Sequence, residues 1–229
     1  MDLLKGKNIV ITGASSGIGK ALSIEASKCG ANLVLASRQI DQLEAIKSEI
    51  SNPVSTIFCI QTDVTSQKEC ENLIHLAKQK LGSIDVLINN AGISMRAAFD
   101  EVETRVLEEI MNVNFWGTVY CTKAAISSLL ESKGSLVAVS SVTGFKGLPG
   151  RTGYASSKFS INGLFESIRM EYMNRGLHTL IACPGFTASN IRYNALTSNG
   201  SKQERSPGKE SEMFENLSKT QPIGRMGIP

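Results

Sequence analysis

Short apolar runs alternate with helix-patterned stretches almost from the start of the chain. β-rich runs fall at residues 8–12, 32–36, 56–61, 86–89, 135–140 and 177–183, and helical patterns at about 17–29, 41–50, 66–81, 104–130 and 154–174. The β-rich runs are apolar without strict alternation, the pattern of strands covered on both faces. Repeated strand–helix–strand units predict an α/β fold, a parallel doubly wound sheet with right-handed crossovers. Ser66-Gln67-Lys68-Glu69 is a capping box opening the third helix, and Gly82 is its stop. No linker precedes residue 184. From 196 to 212 the chain turns polar, reading either as a solvated loop or as a lid, since Met213, Phe214 and Leu217 follow at helical spacing.

Composition narrows the class. A length of 229 residues suits one domain, 1–229, with residues 186–220 as its substrate loop or lid. Hydrophobic residues make up 41% and charged residues 20%, which is ordinary for a globular domain. A net charge of +3, with basic residues scattered, argues against a nucleic-acid partner. Cys29, Cys59, Cys70, Cys121 and Cys183 form no CxxC, and with two histidines in the chain no metal site is expected. They read as buried thiols of a reducing compartment. With no signal-like segment and no apolar stretch long enough to span a bilayer, the expected location is cytoplasmic.

The first β-rich run ends in Thr12-Gly13-Ala14-Ser15-Ser16-Gly17-Ile18-Gly19-Lys20. Glycines at a strand-to-helix turn let the backbone approach a pyrophosphate, which the helix N-terminus then binds. Three motifs compete for this segment. A P-loop needs four residues between its glycines and then Lys-Ser/Thr; Gly13 and Gly19 enclose five, and Ala21 stands where a hydroxyl would hold magnesium. Gly13-Ala14-Ser15-Ser16-Gly17 also fits the nucleophile elbow, but the one late histidine, His178, starts a β-rich run and falls at the wrong end of a parallel sheet. The third reading is a dinucleotide turn. An acid at the end of the second strand would then bind the ribose of NAD, whereas this chain has Ser37-Arg38, and a guanidinium suits a 2′-phosphate. NADP(H) is therefore favoured over NAD, against the plain alternative of a surface arginine.

Tyr154 and Lys158 are i and i+4 on one helical face, and Ser141 follows a β-rich run at the sheet edge that carries the glycine turn. An ammonium near the phenol would draw its titration down from about 10; reaching neutrality takes about 3–4 kcal/mol. Tyr154 would then serve as general acid or base for an alcohol–carbonyl couple.

Together these segments resemble the short-chain dehydrogenase/reductase superfamily in its single-domain form. The resemblance runs from residue 8 to about 190, in family order: the TGxxxGxG turn at Thr12–Gly19, Asn89-Asn90-Ala91-Gly92, Asn114, Ser141, Tyr154-Ala155-Ser156-Ser157-Lys158 and Pro184-Gly185. It implies a Rossmann-like sheet in the order 3-2-1-4-5-6. It also implies roles: Tyr154 as acid/base, Lys158 tuning it and binding the nicotinamide ribose, Ser141 positioning the carbonyl, and Asn114 holding a relay water for Lys158. Cofactor contacts would come from Gly13, Ser15, Ser16, Gly17, Ile18, Gly19, Ser37, Arg38, Asp63, Val64, Asn90, Ala91, Gly92, Tyr154, Lys158, Pro184, Gly185 and Thr187, with Asp63 facing the adenine. Ser189 stands where the family has a later threonine, a departure that bears on Thr187. Plain alternatives are a turn-capping Asp63 and an Asn114 bonded within its own helix.

The expected activity is interconversion of a carbonyl and an alcohol by hydride transfer; a non-catalytic NADP-binding regulator is the competing class. Ile93, Ser94, Met95, Val142, Leu148, Phe186 and residues 190–217 are candidate walls for a mainly apolar small-molecule substrate. Residues 192–197 and 89–94 also resemble members grouped with lipid or steroid reductases, without naming a substrate. A homodimer or homotetramer is expected, using the helices around 104–130 and 154–174. Bacterial members similar to 3-oxoacyl reductases continue past the equivalent of residues 221–229 into a helix and a final strand. The expectation here is a sequence short of a seventh strand, or a six-stranded variant with its last helix near 211–219.

Overall fold

The computed structural model describes residues 3–50, 55–185, 187, 191 and 193–203. In chain order the elements are β1 (Asn8–Thr12), α1 (Gly17–Lys28), β2 (Asn32–Ser37), α2 (Ile40–Glu49), β3 (Ile57–Gln61), α3 (Gln67–Leu81), β4 (Val86–Asn89) and α4 (Thr104–Met111). A π-helical turn (Asn112–Trp116) leads into α5 (Gly117–Glu131), followed by β5 (Ser135–Val139), a 3-10 turn (Val142–Gly144), α6 (Thr152–Tyr172), a second 3-10 turn (Met173–Arg175) and β6 (His178–Ala182). The strands form one parallel sheet in the order β3-β2-β1-β4-β5-β6.

The unbroken apolar strands have a direct cause. In β1, Ile9 and Ile11 point into a core shared with Leu43 and Ile46 of α2, while Val10 points into the opposite core with Leu73 of α3, Leu129 of α5 and Phe165 of α6. Each face carries its own helices, so every residue of β1 is buried whichever way it points, while the edge strands β3 and β6 are only partly covered. Phe165, fully enclosed, contributes about 2–3 kcal/mol by its burial alone.

Local signals decide most element ends. Ser66 accepts a hydrogen bond from the Glu69 N–H at 3.3 Å, and Gly82 ends α3 at a φ of 82°. The box is only half reciprocal, because the Glu69 carboxylate takes the Asp63 N–H at 2.8 Å instead.

Three expectations change. The helix expected over 104–130 is interrupted by the π turn, where the Asn114 carbonyl accepts from Thr118 Oγ1 at 2.7 Å. Such turns mark helices that re-aim a side chain at a functional site. The polar stretch from 196 is not simply a solvated loop. Its described part, 195–203, is a small hairpin with Ala195 and Leu196 buried and a bridge from Leu196 to Met95. Its tip is fastened to α4 by Glu103 N–H to the Ser198 carbonyl at 2.9 Å and Arg105 Nη2 to the Asn199 carbonyl at 2.7 Å. The cysteines are not uniformly buried: all five are free thiols, with Cys70 and Cys121 buried and Cys29 exposed. The expected helix near 211–219 lies outside the described residues, as do 186, 188–190, 192 and 204–220, Phe186 and Ser189 included.

Candidate active site

The crevice lies where the chain leaves the sheet on either side of β1 and β4, as doubly wound topology requires. A cavity of about 740 Å³ runs along it. At one end it takes in Gly13, Ser15, Ser16, Gly17, Ile18, Ser37, Arg38, Asp63 and Val64; Asn90, Ala91 and Gly92 stand at its middle. Ser141, Tyr154, Lys158, Pro184, Gly185 and Thr187 line the other end.

The glycine turn fits a dinucleotide. Gly13 has a φ of +64°, and a Cβ there would stand 2.7 Å from the Ala91 Cα. Gly19 lies behind the cavity wall rather than on it: a Cβ would collide with the Gly13 carbonyl and stand 2.5 Å from Asn90 Nδ2. Asn90 Nδ2 donates to the carbonyls of Thr12 and Gly13 at 2.9 and 3.0 Å, which fixes the turn against the end of β4. Ser16 stands at the N-cap of α1 in extended conformation with no side-chain cap bond, and with Gly17 and Ile18 it lines the cavity, so the helix start is placed to receive an anion. Arg38 is exposed on the cavity rim and has no ion-pair partner among the described residues. Ser37 is buried, its Oγ accepting the Gln39 N–H at 3.1 Å. Asp63 both lines the cavity and closes a turn, its Oδ1 accepting from Thr65 N–H and Oγ1 at 2.9 and 2.8 Å. The residues present therefore fit a nicotinamide dinucleotide.

At the other end, α6 projects Tyr154 and Lys158 on one face, and the 3-10 turn after β5 presents Ser141. Lys158 is 4% exposed; its Nζ donates to the Val139 carbonyl at 2.8 Å and lies 5.6 Å from the Tyr154 ring centre. The expectation that Lys158 draws the Tyr154 phenol towards neutrality is not met. Burial pushes the phenol above its ordinary value, opposed by hydrogen bonding to Ser141 and by the Arg151 guanidinium. The physical reason is that buried Lys158 gives up its own proton before the phenol does, so no ammonium faces the phenol as it titrates. Burial draws Lys158 itself down to about 8, with Cys183 acting the other way.

Asn114 is fully buried behind Gly92 rather than on the cavity. Its Oδ1 accepts the Ile93 N–H at 2.8 Å, and its Nδ2 donates to the Ile93 carbonyl at 3.0 Å and to Ser157 Oγ at 2.9 Å. The side chain is thus a brace between the β4 exit and α6; a relay water would have to be held by other atoms. Nor is it bonded within its own helix. Of the candidate walls, Ile93, Ser94, Val142 and Leu148 line the cavity, while Met95 is fully buried behind it.

Three residues at the site had no place in the sequence reading. Ser157 passes the Asn114 contact to the Tyr154 carbonyl, donating to it at 2.7 Å. Asn162 accepts from Ser140 Oγ at 2.6 Å and donates to the Gly144 carbonyl at 3.0 Å, so it holds the segment that carries Ser141. Arg151 reaches Ser94 and Met95 from the start of α6. Asn162 was findable: it is one turn beyond Lys158 on the same helical face.

Known proteins similar to this chain identify its family. A family model for short chain dehydrogenases matches residues 7–199. The mouse 3-ketodihydrosphingosine reductase is 41% identical over 187 residues, covering 79% of this chain and 56% of that protein. The Arabidopsis thaliana 11-beta-hydroxysteroid dehydrogenase-like 2 is 36% identical over 189 residues, covering 81% of this chain and 61% of that protein. The chain thus spans little more than half the length of these curated relatives. A solved chain from Sinorhizobium meliloti, assigned to the short-chain alcohol dehydrogenases, superposes with a TM-score of 0.83 at 22% identity, over 98% of this chain and 84% of that one.

Proposed function

This chain belongs to the short-chain dehydrogenase family, a family of nicotinamide-dependent oxidoreductases, and on that premise we propose that it is an NADP(H)-dependent oxidoreductase interconverting a ketone and an alcohol on a mainly apolar skeleton. One observation carries the reading: Ser141, Tyr154 and Lys158 share a cavity with the glycine turn and Arg38. The names of the relatives, a keto-sphingoid reductase and a hydroxysteroid dehydrogenase, support a lipid-like substrate class.

Bound NADPH supplies the hydride. Tyr154 donates its phenolic proton to the carbonyl oxygen in reduction and takes it back from the alcohol in oxidation. The phenol carries at neutral pH the proton that reduction needs. The Ser141 hydroxyl hydrogen-bonds the same substrate oxygen and holds it in reach of the phenol. Arg38 takes the 2′-phosphate, and Asn114 with Ser157 fixes α6 against the β4 exit so that the tyrosine is presented in register. We also propose a homo-oligomer formed through α4–α5 and α6, and a cytoplasmic location.

The test is NADPH oxidation with a panel of aldehydes, diketones, long-chain 3-keto amines and ketosteroids. Wild type should turn over at least one apolar ketone, and Tyr154→Phe should lose about 10²–10⁴-fold in kcat with NADPH binding retained. Tight NADPH binding with no turnover across the panel would favour a cofactor-binding regulator. Equal turnover by Tyr154→Phe would remove the tyrosine from the mechanism.

A further inference from the structure

Arg151 occupies a position that costs its helix. It is the N-cap of α6, makes no side-chain cap bond there, and no acidic residue follows in the first turn. A cation at a helix N-terminus opposes the macrodipole, and serine, threonine, aspartate or asparagine would cap far better. Local rules broken in this way are characteristic of functional sites. What Arg151 does instead is reach across the cavity: its Nη1 donates to Ser94 Oγ at 2.6 Å and to the Met95 carbonyl at 2.7 Å.

Those acceptors belong to a seam. Leu196 N–H donates to the Ser94 carbonyl and Arg96 N–H to the Leu196 carbonyl, each at 2.8 Å, while Ala97 N–H donates to the Gly150 carbonyl at 3.2 Å. Residues 94–97 are therefore held between the 195–203 hairpin and the segment leading into α6. Ser94, Arg151 and Tyr154 line one cavity, and Met95 packs directly behind Tyr154. Other charged groups share the cavity with the phenol: Glu109 from α4, Lys202 from the hairpin and Lys158 from α6 itself. Beside them, the Arg151 guanidinium opposes the upward push of burial on the phenol.

We propose that Arg151 is a positioning residue, clasping the Ser94–Met95 wall to the start of the tyrosine helix and holding a fixed positive charge in the cavity where the Tyr154 phenol reacts. The role rests on the oxidoreductase reading for its kinetic consequence only. The two N–H donors of Nη1 bridge a hydroxyl and a carbonyl while the guanidinium keeps its charge at every working pH; a lysine keeps the charge, but its Nζ ends one atom short of Nη1.

Four measurements test it on the whole chain: NADPH binding by fluorescence, KM and kcat for the best ketone of the panel, the ultraviolet titration of Tyr154 taken as the difference from the matching Tyr154→Phe protein, and amide exchange at Arg96 and Ala97. Arg151→Met should leave NADPH binding unchanged, raise KM by roughly tenfold through a displaced wall, move the Tyr154 midpoint upward and speed exchange at both amides. Arg151→Lys should restore the midpoint but leave KM raised. Ser94→Ala, which spares the charge, should raise KM and exchange without moving the midpoint. An unmoved Tyr154 midpoint in Arg151→Met, or an unchanged exchange rate in both Arg151→Met and Ser94→Ala, overturns the proposal. So does a loss of NADPH affinity equal to the rise in KM, because that would make Arg151 a general prop of the fold. If wild type turns over no ketone, the oxidoreductase reading fails, and the titration and exchange still decide the role of Arg151.

Discussion

The two ends of the cavity are built by different means. The cofactor end is made of backbone: a turn with no room for side chains at Gly13 and Gly19, uncapped N–H groups at the start of α1, and one protruding charge at Arg38. The substrate end is made of side chains that reach across the sequence, Asn114 to Ile93 and Ser157, Asn162 to Ser140 and Gly144, Arg151 to Ser94 and Met95. A backbone site tolerates almost no change in shape but cares little about neighbouring side chains. A clasped site can be retuned one contact at a time. That difference is one route by which a constant cofactor could be combined with varied substrates on one fold.

The sharpest way to break the comparison is at Gly19. A valine there would drive its Cβ into the Gly13 carbonyl and the Asn90 amide, neither of which can move without the β1 and β4 strand ends. Gly19→Val should cost about 3 kcal/mol in urea denaturation. Displacing the turn removes at least two charge-assisted hydrogen bonds to pyrophosphate, so NADPH binding should weaken by roughly 1000-fold. A folded Gly19→Val protein with near-normal affinity would show that the turn is not a rigid cradle.

Arg38 is the exception at the backbone end, and its loss should be smaller and selective. Arg38→Asp removes the 2′-phosphate partner and adds repulsion, so the NADPH-to-NADH preference in kcat/KM should fall by roughly 100-fold, with NADH turnover little changed. Equal use of the two cofactors by wild type would remove Arg38 from cofactor selection.

The same contrast explains what could be read in advance. A parallel sheet covered on both faces follows from apolar runs of the right length, the strand order comes only with the family resemblance, and Gly13, Gly19 and Ser66 announce themselves because backbone demands admit few residue types. Tyr154 and Lys158 are visible as one helical face. The braces are not: Asn114 and Ser157 are 43 residues apart, Arg151 and Ser94 are 57 apart, and no local pattern links them. The π turn that aims Asn114 lies inside an otherwise unbroken helical pattern. The Tyr154 expectation failed for a related reason. Helical spacing places Lys158 near the ring but cannot tell that burial draws the ammonium itself down to about 8, below the phenol it was to tune.

That buried ammonium makes the substrate end a net burden on stability. Lys158 titrates at about 8 in the fold against an ordinary 10.5, so at pH 7 its charge costs on the order of 3 kcal/mol. Methionine fills similar space but strips the Val139 carbonyl of its donor, at about 1 kcal/mol. Lys158→Met should therefore be inactive yet about 2 kcal/mol more stable at pH 7. The sign follows from proton counts. Between pH 8 and 10.5 the unfolded chain holds the proton that the folded chain has lost, so wild-type stability rises with pH and the advantage of the methionine shrinks. Denaturation curves at pH 7 and pH 10 check both halves, and a less stable methionine variant at pH 7 would mean the charge is well solvated.

The smallest effect separates two helix starts that look alike in sequence. Both α1 and α3 are preceded by a serine, Ser16 and Ser66. Ser66 caps its helix through the Glu69 N–H, whereas Ser16 makes no such bond. Ser66→Ala should cost about 1 kcal/mol of stability and leave NADPH binding untouched. Ser16→Ala should cost only a few tenths of that in the free protein, because no cap is lost, and its effect should appear in NADPH affinity, where a hydroxyl at the helix start can add to the backbone N–H groups. Equal losses of stability would show that Ser16 caps α1 in solution, and the N–H groups assigned to the cofactor would then already have a partner.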